Sequence, residues 1–96
     1  MPKIALTRKA QNDLEIIGEY YADKVSEDFA EGLVAELLLA MEKLELFPNI
    51  GRASAVEDTR ELVFPNYPFY AAYRVKAGRV QVLRINHQRK QRSIDW

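Results

Sequence analysis

Apolar residues recur at helical spacing in the first half of the chain and at alternating spacing in the second. Over residues 8–23, Ala10, Leu14, Ile17 and Tyr21 fall four, three and four apart, the repeat of a helix with one apolar stripe. Ile16 and Tyr20 widen that stripe, while Asp13, Glu15, Glu19 and Asp23 sit largely off it. Thr7 stands where an N-cap is needed, behind a short strand over residues 3–6. Ser26 is the second N-cap, and Glu27 and Asp28 place negative charge in a first turn, where the helix dipole favours it. Phe29, Leu33, Leu37, Ala40, Met41 and Leu44 continue the second helix until Phe47-Pro48 stops it. Only Lys24 and Val25 intervene, so the two helices fold back as an antiparallel hairpin. Leu38 and Leu39 lie off the main line and leave this second helix apolar on more than one side.

Residues 48–58 lack periodicity and read as a loop; after them the period changes to two. Strands are predicted over residues 60–64, 69–75 and 80–86, joined by Pro65-Asn66-Tyr67-Pro68 and by Lys76-Ala77-Gly78-Arg79. The predicted fold is α+β, in the order β-α-α-β-β-β, with an N-terminal helical hairpin packed on a small antiparallel sheet. Strict alternation puts Val80, Val82 and Arg84 on one face of the last strand and Gln81, Leu83, Ile85 and His87 on the other. In the strand before it, Phe69, Ala71, Tyr73 and Val75 oppose Tyr70, Ala72 and Arg74. Neither strand has a cleanly polar side. A sheet covered on one face should alternate, so the second face is expected to be covered by a partner peptide or by the curl of the sheet itself.

Ninety-six residues, 48% apolar and 29% charged, are expected to form one domain spanning the chain. No apolar run reaches membrane-spanning length and no secretory signal is visible, so a cytoplasmic protein is expected. Cysteine is absent and histidine occurs once, at His87, which excludes disulfides, thiolate catalysis and the usual zinc patterns. No metal or other cofactor is expected. The net charge of zero hides a division. Residues 1–61 hold 13 acids and 7 bases, leaving −6, whereas residues 62–96 hold 1 acid and 7 bases, leaving +6. A positive face for nucleic acid or an acidic polypeptide follows, unless acids on the helices and bases on the strands pair where they meet.

No glycine-rich phosphate loop or nucleophile elbow is present. The chemically suggestive stretch is residues 84–96, where a strand end delivers His87 beside Arg89, Lys90 and Arg92. An imidazole base among cations suits attack on a phosphodiester, with guanidinium groups stabilising the developing charge. The same groups suit a simple grip on phosphate or on an acidic partner. For a partner protein, the strand edge and the apolar stripe around Leu38 and Leu39 are the expected contacts.

The residues also carry a family likeness. Leu6-Thr7-Arg8-Lys9-Ala10 followed by Asp13-Leu14-Glu15-Ile16-Ile17 and Tyr20-Tyr21 resembles the opening of the RelE/ParE toxins of bacterial type II toxin–antitoxin systems. Phe47-Pro48-Asn49-Ile50-Gly51-Arg52 resembles their helix-ending proline and Gly-Arg loop, and the three strand motifs follow in order. The resemblance implies a growth-inhibiting toxin in a hetero-oligomer with a cognate antitoxin, with a non-toxic partner-binding module as an alternative. RelE-like members cut mRNA on the ribosome; ParE-like members inhibit DNA gyrase. At the position of the RelE-like strand arginine this chain has Tyr70, while Lys90 and Trp96 fall where a basic catalytic residue and a terminal tyrosine lie. If the chain is a nuclease, the implied catalytic set is His87, Arg89, Lys90 and Trp96. The first helix and the His-x-Arg after the last strand are more similar to the ParE branch. The implied surface for target or antitoxin is Arg74, Arg84, His87, Arg89, Lys90, Arg92, Leu38 and Leu39.

Overall fold

Both predicted caps form. The Thr7 hydroxyl accepts the Ala10 amide at 3.1 Å and the Ser26 hydroxyl accepts the Phe29 amide at 3.0 Å, each satisfying an amide that has no partner within its own helix. They open α1 (Arg8–Lys24) and α2 (Glu27–Glu42), and α2 tightens into a 3-10 turn (Lys43–Glu45) before Pro48. The Tyr21 carbonyl accepts both the Val25 and Ser26 amides, at 2.9 and 3.1 Å, so the hairpin reverses with its backbone bonded. The computed structural model describes residues 4–88.

The strands are β1 (Ile4–Leu6), β2 (Arg52–Ala53), β3 (Arg60–Val63), β4 (Phe69–Lys76) and β5 (Arg79–His87), in the spatial order β1-β5-β4-β3-β2. The meander β3-β4-β5 is antiparallel as predicted. The sheet as a whole is mixed, which corrects the expectation of an antiparallel one: β1 lies parallel to β5, with Ile4 opposite Val80 and Leu6 opposite Val82. The connection between them runs through the helical hairpin and then β2, β3 and β4, which satisfies the long crossover that a parallel pair needs. The expected loop also yields β2, two residues paired with Arg60 and Glu61. Ala77 and Gly78 take φ of 52° and 73° in the β4–β5 turn, the left-handed pair of a tight hairpin.

Both helices pack on one face of the sheet. Ala10, Leu14 and Ile17 of α1 and Leu33, Leu37 and Met41 of α2 enclose a core with Phe69, Ala71 and Tyr73 of β4 and Val80, Val82 and Ile85 of β5. Ile16 and Tyr20 do not join it; they are 64% and 55% exposed, because a helix turns each of them about 100° away from the residue that follows on the core line. Phe29 also stays outside, 40% exposed, tilted against the ring of Tyr21.

The largest departure from strict alternation is in β5. The pairing runs Tyr73 with Val82 and then Ala72 with Arg84, so Leu83 is an extra residue. This bulge shifts the downstream residues by one and turns them over. Val82 and Ile85 therefore both enter the core, and His87 faces the same side, opposite Phe69. Among the described residues, no helix is long and apolar enough to cross a membrane.

Candidate functional site

The bulge is built from both ends of the described chain. Thr7 donates its amide to the Val82 carbonyl at 3.0 Å and its hydroxyl to the Leu83 carbonyl at 2.8 Å. Asp13, on α1, accepts Arg84 Nε at 2.8 Å, Arg84 Nη2 at 3.2 Å and the Ile85 amide at 2.9 Å. Both carboxylate oxygens are thus engaged, and an edge amide that β1 does not reach is satisfied. The pair is mostly shielded, its side chains 24% exposed for Arg84 and 12% for Asp13. The expectation that Arg84 offers its charge outward is therefore corrected: its charge is balanced by the acidic half of the chain. The apolar stripe of the first helix leaves Asp13 largely off it. It lies three residues after Ala10 and four before Ile17, so a polar residue at core spacing was the available signal.

His87 is half-buried, its ring edge-on to Phe69 with centroids 5.5 Å apart. It shares a depression of about 260 Å³ with Asp13, Ile16, Ile17 and Arg84. Of the proposed nuclease set, only His87 falls within the described residues; Arg89, Lys90 and Trp96 lie outside them, as does Arg92 of the proposed binding surface. Tyr70 is on the opposite face of the sheet from His87, paired with Asn86 and 2% exposed. The described residues therefore do not bring His87 and Tyr70 into one site. They also hold no cluster of His, Asp and Glu fit for a metal ion.

The sheet face away from the helices is already substantially buried at Tyr70, Ala72 and Glu61. Glu61 is 1% exposed and accepts Arg52 Nε at 2.9 Å. Arg74 lies across the same face with its Nε on Gln81 Oε1 at 2.7 Å. Lys76 and Arg79, flanking the β4–β5 turn, are exposed. On the core side, the Tyr73 hydroxyl accepts the Gly51 amide at 2.8 Å, and Arg60 donates to the Gly51 carbonyl at 2.8 Å. Burial raises the Tyr73 phenol above its ordinary value of 10.0, against the lowering effects of the Gly51 amide and the Arg60 charge. A Cβ on Gly51 would stand 2.6 Å from the Tyr73 hydroxyl oxygen, so no larger residue fits this loop unchanged. Tyr67 is raised as well, first by burial and then by the Glu36 carboxylate.

Leu38 and Leu39 are 40% and 63% exposed. They point to different surfaces: Leu38 lines an outer groove between α1 and α2, and Leu39 lines a smaller hollow beside Lys43 and Tyr67. Leu46, Phe47 and Ile50, outside the expected contact surface, are 65%, 58% and 56% exposed just beyond α2. Their crowding around a helix-ending proline was the signal. Chemically, the described part of the molecule presents apolar ridges and internally paired charges, an arrangement suited to docking another macromolecule.

Comparison with known proteins gives this arrangement a context. Residues 4–92 match the family described as ParE toxin of type II toxin–antitoxin system, parDE. A protein of Sinorhizobium fredii named as a candidate toxin, Y4kP, is 33% identical over 89 residues, covering 93% of this chain and 91% of its own length. A solved chain of the chromosomal ParDE system from P. aeruginosa superposes with a TM-score of 0.85 at 31% identity, covering 91% of this chain and 96% of that one. The RelBE2 toxin–antitoxin complex of Mycobacterium tuberculosis contains a chain with the same fold, at a TM-score of 0.59 and 20% identity over 91% of this chain and 99% of that one.

Proposed function

The chain belongs to the ParE toxin family of type II toxin–antitoxin systems, and from that premise we propose that it arrests growth by inhibiting DNA gyrase and is held inactive by a cognate antitoxin. The observation that carries the proposal is the likeness to the ParDE chain, at TM-score 0.85 and 31% identity. The site supports the same choice of target. Where RelE-like members place a strand arginine, this chain has Tyr70, 2% exposed in the sheet. Arg84, the cation nearest His87 along β5, is paired with Asp13. A phosphodiester in transit needs cations free to follow its developing charge, and a guanidinium bonded bidentately to a carboxylate is held away from that role.

On this reading the antitoxin covers Leu38 in the outer groove and Leu39 in the hollow beside Tyr67, and reaches Arg74 on the sheet. Burying about 1,000 Å² or more is enough for a stable complex. His87 and the cations Arg89, Lys90 and Arg92 are assigned to the target. The test runs two assays on one purified sample: supercoiling by gyrase, and cleavage of mRNA on ribosomes. Loss of supercoiling with intact mRNA is the expected result. Cleaved mRNA with unimpaired gyrase, abolished by His87→Ala with Lys90→Ala, would replace the proposal with a ribosome-dependent nuclease.

A further inference from the structure

Beyond Tyr73, β4 runs on with no strand on one side. β3 begins at Arg60, opposite Tyr73, while Arg74, Val75 and Lys76 pair with β5 alone. The way the backbone faces along this open stretch is fixed from both ends of β4. Phe64 donates its amide to the Phe69 carbonyl at 3.1 Å, and Gln88 donates to the Pro68 carbonyl at 2.7 Å. Odd-numbered residues of β4 therefore turn their backbone groups toward β3, and even-numbered ones toward β5. The two-residue turn Ala77-Gly78, closed by Lys76 opposite Arg79, follows the same alternation. Val75 thus points its amide and carbonyl at the open edge, and among the described residues no hydrogen bond reaches either.

The loop that leads into β3 does not close the gap. Ser54 donates to the Thr59 carbonyl and Thr59 to the Val56 carbonyl, both at 3.2 Å, so the backbone of this loop is bonded to itself. Between it and β4 lies a hollow of about 620 Å³, with Arg60, Arg74, Val75 and Lys76 in its walls. An unpaired edge accepts another strand, and the side chains beside this one select its chemistry. Arg74 and Lys76 point to the sheet face away from the helices, with Arg79 opposite Lys76. Val75 points to the other face and is 42% exposed. A strand laid along this edge sets one side chain against Val75 and the side chains on either side of it near Arg74 and Lys76. The complementary triplet is acid, apolar, acid. Glu57 and Asp58, exposed on the loop wall, work against it, but the hollow sets three cations against these two carboxylates.

We propose that an extended acidic segment of a partner protein adds to β4 here, antiparallel, exchanging both backbone hydrogen bonds with Val75 and placing two carboxylates beside Arg74 and Lys76. The proposal rests on the reading that an antitoxin reaches Arg74, and it specifies the contact made there. The test titrates the full chain with a capped heptapeptide, Thr-Ser-Glu-Val-Glu-Ser-Thr, followed by amide shifts and amide exchange in nitrogen-15 spectra. Saturable binding that weakens with salt is expected, with shifts confined to the loop before β3 and the end of β4, and with slowed exchange at Val75. Methylating the amide nitrogen of the peptide's central valine keeps every charge and should weaken binding about tenfold. Val75→Pro should do the same, because it removes a donor that the sheet itself does not use. Glu57→Gln with Asp58→Asn should tighten binding, since asparagine tolerates the φ of 61° at position 58. Equal binding of the methylated peptide would overturn strand addition, as would shifts centred on the His87 end of the sheet. A single-stranded oligonucleotide that binds more tightly than the peptide, and equally well to Val75→Pro, would assign the cations to phosphate and overturn the proposal. Val75→Pro should still inhibit gyrase. Absence of gyrase inhibition by the wild type would count against the proposed function and leave this contact standing.

Discussion

The two ends of the β4–β5 hairpin hold their cations in opposite states. At the turn, Lys76 and Arg79 are exposed beside Ala77 and Gly78. At the bulge, Arg84 is folded onto Asp13, a residue 71 positions earlier in the chain. Charge counted along the sequence treats these cations alike, since all lie in the half that carries +6. The fold separates them, because α1 crosses the sheet at the bulge and leaves the turn open. Among the described residues, the positive half therefore has a neutralised root and an exposed tip, and the tip contributes a field that a partner can sense at a distance.

The sharpest way to break this contrast is to remove the carboxylate. Asp13→Ala strips Arg84 of its carboxylate and the Ile85 amide of its acceptor, and should cost about 3 kcal/mol by chemical denaturation. Pairing it with Arg84→Met should recover much of that loss, because an apolar substitute carries no charge to bury. Gly51→Ala presses a methyl group against Tyr73 and the Glu61 carbonyl, which lie 2.6 and 2.9 Å from the new Cβ; a loss of roughly 2–3 kcal/mol follows from overpacking. Tyr73→Phe is milder. It leaves the Gly51 amide without its acceptor and should lower stability by about 1–2 kcal/mol. The same tyrosine predicts an alkaline limb: with its folded value raised above 10.0, the contribution is complete below pH 10 and is lost as pH climbs through the folded value. Tyr73→Phe should flatten that limb in a denaturation series. At the exposed tip, Lys76→Glu with Arg79→Glu should alter stability by no more than about 0.5 kcal/mol, while weakening binding to an acidic partner in a salt-dependent manner.

Much of the fold is legible in the sequence, for local reasons. Thr7 and Ser26 cap helices because short hydroxyl side chains reach the free amides behind an extended residue, and Pro48 ends the second helix through its own ring. The meander is readable from alternation and from Ala77-Gly78. What escapes is nonlocal. Nothing near residues 4–6 says that they pair in parallel with β5, Ile4 opposite Val80 and Leu6 opposite Val82, and β2 has too few residues for a period. The bulge hides in plain view: Val82 and Ile85 are apolar but three apart, which strict alternation cannot place on one face. Of the candidate site, the exposure of Leu38 and Leu39 follows from their position off the helical stripe. The inward turn of Arg84 does not, because its acid lies on an element packed across the sheet. Among the described residues, an acid on a helix pairs with a base on a strand at Asp13 with Arg84, whereas Arg52 with Glu61 joins two neighbouring strands of the acidic half.

Plasmid topology after brief induction of the chain in cells, with and without its antitoxin, tests the central claim most directly. A gyrase inhibitor leaves plasmids relaxed while messenger RNA stays intact, and the antitoxin restores supercoiling. Growth arrest with fully supercoiled plasmid and fragmented messenger RNA would contradict the account.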